Sequence, residues 1–145
     1  MTEAQAIEAI LQHWEDGWEA LHPADTSDPD HVPWTPDDET FEAVASWVRI
    51  TIVPTTAAQG SLGATPRWIR RGQIAVQIFT TPNEGAAAGA LLADDVRTVL
   101  EGKRIALDGD DEPVCTYAGA SQPLGNDGAW RSAVVVIPYR FDQHR

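Results

Sequence analysis

The sequence predicts an α+β fold, with a mixed, mainly antiparallel sheet of four to five strands packed against two helices. Three observations predict it. Apolar residues recur at helical spacing near the start, at Ile7, Ile10, Leu11, Trp14 and Trp18. Residues 46–53 and 73–80 alternate with the period of half-buried strands, and a second helical pattern follows at Ala86–Leu100. At 145 residues, 43% hydrophobic and 22% charged, the chain suits a single domain, 1–145, with one modest core.

Taken in order, residues 2–18 read as one amphipathic helix, because Thr2 with Gln5 three positions later has the form of a capping box. Pro23 and Pro29, set among Asp25, Asp28 and Asp30, then favour an exposed acidic loop. The stretch His31-Val32-Pro33-Trp34-Thr35-Pro36 reads as a short edge strand, since proline lacks the amide a central strand needs. In residues 46–53, Val48, Ile50 and Ile52 share one side, and Trp47, Arg49 and Thr51 the other. Residues 54–72, rich in Ala, Gly and Thr and basic at Arg67, Arg70 and Arg71, are expected to form a long loop of the kind that carries function.

Thr81-Pro82-Asn83-Glu84-Gly85 is expected to cap the second helix and supply an acidic first turn; Gly102 stops that helix, with Lys103 and Arg104 beside its negative end. An acidic turn at Asp108-Gly109-Asp110-Asp111-Glu112 leads to strands at 114–117 and 129–141. The run Ala133-Val134-Val135-Val136-Ile137 is apolar on both faces, so one face can take the helices while the other also wants cover.

Charge and cysteine content exclude several classes. Twenty-two acids against ten Lys and Arg give a net charge of -12, which disfavours sequence-specific DNA binding. Cys115 is the one cysteine, so no intrachain disulfide, thiolate zinc cluster or Cys-x-x-Cys pair can form, as suits a reducing compartment. The acidic start is unlike a secretory signal, and no apolar run approaches the roughly 20 residues that span a bilayer.

Catalytic patterns are weak. Asp25, Asp28, Asp30 and His31 are the candidate metal ligands of a small metal-dependent enzyme, but prolines among them favour a solvated loop. Ser61, Ser121 and Ser132 lie in no Gly-x-Ser-x-Gly setting, and Cys115 reads as a small strand residue. His13, His22, His31 and His144 fall on a polar helix face, in loops and in the tail. Asp94 and Asp95 point about 100 degrees apart on a helix and would not share a proton. Gly60-Ser61-Leu62-Gly63 lacks the Lys-Ser/Thr ending of a phosphate loop. No cofactor is indicated. Arg67-Trp68-Ile69-Arg70-Arg71 is the one basic, aromatic stretch, suited to single-stranded nucleic acid or to carboxylates of a protein partner. Trp34, Trp47 and Trp68 are candidate interface anchors, whereas Trp14 and Trp18 belong to the core.

The chain also resembles the tail terminator (tail completion or neck) proteins of long-tailed bacteriophages. The likeness runs through Ser46-Trp47-Val48-Arg49-Ile50-Thr51-Ile52, and through the strand from Arg71 and Gly72 to Thr80 that ends in Pro82-Asn83-Glu84-Gly85 and leads to Leu92-Ala93-Asp94-Asp95-Val96. It continues at Gly125-Asn126-Asp127-Gly128-Ala129-Trp130 and Pro138-Tyr139-Arg140-Phe141-Asp142, and departs from the family's pattern at Asp37-Asp38-Glu39-Thr40-Phe41. The resemblance implies a structural virion protein, assembled in the host cytoplasm and placed at the head-proximal end of the tail. It implies a hexameric ring that caps the tail tube, stops its polymerisation, meets the head connector and lets DNA pass through its lumen without specific binding. It implies no catalytic residues. For such a ring the expected contact residues are Trp68, Arg67, Arg70 and Arg71 in the loop, then Trp47 and Arg49 on the outward strand face. Another head-tail joining protein or minor tail component would share the same assembly logic.

Overall fold

A computed structural model describes residues 1–36, 45–82, 85–106, 113–128 and 130–144. The acidic turn expected at 108–112, the departure at 37–41 and the Asn83-Glu84 part of the expected cap lie outside the described residues.

Helix α1 spans Glu3–Leu21 and starts at the capping box the sequence predicts. Thr2 Oγ1 accepts from the Gln5 amide at 3.2 Å, and Gln5 Oε1 accepts from the Thr2 amide at 2.8 Å. The helix runs a turn past Trp18 because nothing forbids it before Pro23; the His22 amide closes it on the Trp18 carbonyl at 2.7 Å. Its buried stripe of Ala6, Ile10, Trp14 and Trp18 faces the sheet. Trp14 stacks on Trp18 at 4.8 Å and meets the edge of Trp34 at 6.3 Å, so Trp34 is packed on the core.

Among the described residues seven strands form one curled sheet: β1 (Trp34–Pro36), β2 (Trp47–Gln59), β3 (Arg67–Thr80), β4 (Arg104–Ile105), β5 (Val114–Thr116), β6 (Ala120–Asp127) and β7 (Trp130–His144). Their order is β1-β2-β3-β7-β5-β4, with β6 paired to the same side of β7 as β5; β1 runs parallel to β2 and every other pair is antiparallel. The sheet therefore exceeds the four to five strands expected. The difference is β4, only two residues long, and β6, whose Pro123 and Gly125 suppress any strand pattern. Pro123 is tolerated because β6 is an edge strand and its register slips between Pro123 and Gly125, where a missing amide breaks no ladder.

The expected long loop at 54–72 is also corrected. Strand β2 continues to Gln59 and β3 begins at Arg67, so only a short turn separates them. Residues 53–65 are exposed on both sides, and a ribbon with no buried face has no reason to alternate apolar and polar residues. The turn closes through Gly60 N to Arg67 O at 2.7 Å and Arg67 N to Ser61 Oγ at 2.8 Å. Pro54 falls at a register shift of the β2–β3 pair.

Helix α2 spans Ala86–Leu100. It has neither the side-chain cap nor the acidic first turn expected: Gly85, at φ +81°, precedes three alanines. Leu92, Val96, Val99 and Leu100 pack on Ile74, Val76, Ile78, Val135 and Ile137 in one continuous core with α1. The helices touch where Gly17 meets Val99; a Cβ on Gly17 would come within 2.7 Å of Val99 Cγ1.

Candidate functional site

Both helices cover one face of the sheet, and among the described residues no element covers the opposite, outer face. Register decides which side chains lie there. Opposed residues of an antiparallel pair share a face, and β2, β3 and β7 pair over most of their lengths. Trp47, Arg49 and Thr51 lie on the outer face with Ala75, Gln77 and Phe79, and with Val134, Val136, Pro138 and Arg140. Ala75, Val134 and Val136 are half-buried there without a helix above them, which matches the two-faced apolar run read from the sequence.

The six expected contact residues divide between the two faces. Arg67 and Arg71 project to the outer face with Trp47 and Arg49, whereas Trp68 and Arg70 project to the helix side. A loop could have gathered Arg67, Trp68, Arg70 and Arg71 into one patch; a strand alternates them. Arg70 Nε donates to Gln143 Oε1 at 3.1 Å, and the indole nitrogen of Trp68 is buried without a hydrogen-bond partner. Arg67 reaches Asp142 at 3.7 Å, a carboxylate that Arg140 also approaches at 3.4 Å.

Trp47 lies on the outer face yet is only 6% exposed. Its ring stacks on Phe79 at 4.3 Å, meets the edge of Trp130 at 6.5 Å, and carries the Arg49 guanidinium at 5.0 Å. A cation over an indole face is held by the ring's quadrupole. The cluster thus fixes Arg49 in place, and it is Arg49, half-buried with its Nε unpartnered, that faces outward at this end of the sheet.

The candidate metal ligands are occupied by turn chemistry. Asp25 Oδ1 accepts from Ser27 N at 2.9 Å and Ser27 Oγ at 2.7 Å, and these bonds, the amide first, hold its carboxyl below the usual range. Asp28 Oδ1 accepts from Asp30 N at 2.9 Å, and His31 Nδ1 donates to Pro23 O at 2.7 Å. Among the described residues no three of His, Cys, Asp and Glu gather as a metal site. His22 and His13 are brackets between elements: His22 bonds Asp30 O at 2.7 Å and Asp95 Oδ2 at 2.8 Å, and His13 bonds Val99 O at 2.8 Å. Asp94 is paired with Arg97 on the exposed side of α2, so the two adjacent acids have separate partners. Cys115 is half-buried in β5 on the outer face, opposite Arg140 and Arg104.

One feature escaped the sequence reading. An open pocket of about 490 Å³ separates the first half of α2 from the sheet, with Ala86, Gly89, Ala90 and Ala93 on the helix side and Ile78 and Ala133 beneath. Its cause is the run of small residues that opens α2, too short to fill the space between helix and sheet. Among the described residues no helix is long and apolar enough to cross a membrane.

No protein-family model and no curated protein matches the chain. A solved structure 16% identical in sequence aligns over 97% of this chain and 96% of its own, with a TM-score of 0.72. The two share the fold along their whole lengths, and at that identity the likeness speaks for fold alone.

Proposed function

We propose that the protein is a structural assembly subunit, a tail-terminator ring component of a tailed phage or phage-derived particle. In that role it caps the tail tube, meets the head connector at the head-proximal end of the tail, and surrounds a lumen through which DNA slides. The observation that carries the reading is the β2 arm and turn of the β2–β3 hairpin, exposed on both faces from residue 53 to 65. A strand arm of this kind buries little side-chain surface within its own subunit and is open to a partner's surface. Arg67 beside the turn, Arg71 further along β3 and the apolar outer face next to them supply charge and cover for such docking. The resemblance in the strand motifs from Ser46 to Ile52 and from Arg71 to Gly85 supports the same reading.

The test is assembly with purified tail-tube protein. Arg49→Glu combined with Arg71→Glu is expected to weaken ring or tube contacts while the monomer keeps its fold; unchanged tail assembly by that variant would overturn the reading. Capture of portal-proximal rings in place of tube protein would assign the chain to another head-tail joining role.

A further inference from the structure

The chain is strongly acidic, yet its first helix and the outer face of its sheet carry opposite charges. On α1 stand Glu3, Glu8, Glu15, Asp16 and Glu19 with no Lys or Arg. Helical geometry puts Glu8, Glu15, Asp16 and Glu19 in one stripe, opposite the buried Ile10, Trp14 and Trp18. The outer face of the sheet carries the reverse charge. Arg104, Cys115, Arg140, Arg71 and Thr56 form one row across β4, β5, β7, β3 and β2, with Arg67 and Arg49 on the same face. Among the described residues Asp142 is the one carboxylate paired with them, shared by Arg67 and Arg140. Among the described residues Arg71 and Arg104 make no side-chain hydrogen bond or ion pair.

Each layer is electrostatically unfavourable by itself. Arg71 and Arg140 are direct cross-strand partners, and like charges directly opposed on one face repel. Glu15 and Glu19, four residues apart on a helix, repel similarly. Both costs are relieved if the two layers meet, and within one subunit they cannot, because the core lies between them.

We propose that the arginine-bearing outer face of the sheet docks on the acidic α1 stripe of a second copy of this chain. The inference deepens the ring reading by naming the two faces that meet. Because they lie on opposite sides of the subunit, the contact is head-to-tail, which builds rings or filaments and does not stop at a twofold dimer. The half-buried Ala75, Val134 and Val136 supply the apolar centre, and the arginines the rim.

Light scattering on the purified chain, without tube protein, tests this. The wild type is expected to exceed dimer mass at low salt and to dissociate at least tenfold more readily between about 50 mM and 0.5 M salt, as the Debye length shrinks. Arg71→Glu with Arg104→Glu, and separately Glu15→Lys with Glu19→Lys, should each give a monomer with native circular dichroism. An equimolar mixture of the two variants should assemble again, since each then offers the face the other needs. The proposal is overturned by a wild type that stays monomeric at low salt, by variants that keep its mass, by a mixture that stays monomeric, or by an arginine face that captures single-stranded DNA with no self-association. Tube binding by a strict monomer would overturn this proposal alone; self-association without tube binding would overturn the terminator reading alone.

Discussion

The ring of Tyr139 occupies the space that a side chain on its cross-strand partner Gly72 would fill. Tyr139 is 2% exposed, so the sheet has no room to move the ring aside without opening the core. Gly72→Ala is therefore expected to destabilise the fold by about 1–3 kcal/mol through overpacking, read from urea unfolding. An unchanged midpoint would mean that the ring relocates freely.

Tyr139 also sets an alkaline limit. Burial, with a smaller contribution from the Glu3 carboxylate, pushes its hydroxyl from 10.0 up to about 12. The folded state holds the proton more tightly than the unfolded one, so this contribution is complete below pH 10 and is lost as pH rises from 10 to about 12. Unfolding measured across that window should show stability falling in the wild type, with a shallower fall in Tyr139→Phe.

Trp47 illustrates how an apparent interface anchor can be structural. Stacked on Phe79 and edged by Trp130, it behaves as a small second core on the outer face. Trp47→Ala is expected to cost about 3 kcal/mol of stability, in the range for buried aromatic truncations. A loss of assembly with unchanged stability would return it to the anchor role.

His22 joins the end of α1 to α2 through Asp95 and holds the acidic loop through the Asp30 carbonyl. His22→Ala should lower stability by roughly 1–2 kcal/mol, as expected for two lost hydrogen bonds, one charge-assisted. Hydrogen exchange should locate the loosening in residues 22–31; uniform loosening across the sheet would contradict the bracket.

The hairpin tip is expected to be dispensable for folding. Replacing residues 61–66 by a two-residue Asn-Gly turn, which keeps Gly60 opposite Arg67, removes exposed chain and should shift thermal stability by no more than about 0.5 kcal/mol. On the proposed function, the same variant should lose binding to the tail tube.

Much of the framework was legible from residues alone. Thr2 and Gln5 announced the first helix, Val48, Ile50 and Ile52 the inward face of β2, and the 74–78 run its partner strand, because each of these segments has one buried face. Burial of one face is what writes periodicity into a sequence. Strand β6 and the far half of the hairpin were illegible for the same reason: Pro123 and Gly125 sit on an edge, residues 53–65 bury neither face, and neither segment has a pattern to read.

By itself the sequence determined the capped start of α1, the span of α2, the inward faces of the strands and the strongly acidic balance. These follow from local spacing and composition. Only the tertiary structure decided that Arg67 and Arg71 lie on the opposite face from Trp68 and Arg70, that Trp47 is enclosed by Phe79, and that Arg71, Arg104 and Arg140 form one row. Those relations depend on pairing register between strands distant in the chain, and a shift of one residue would turn each side chain to the other face.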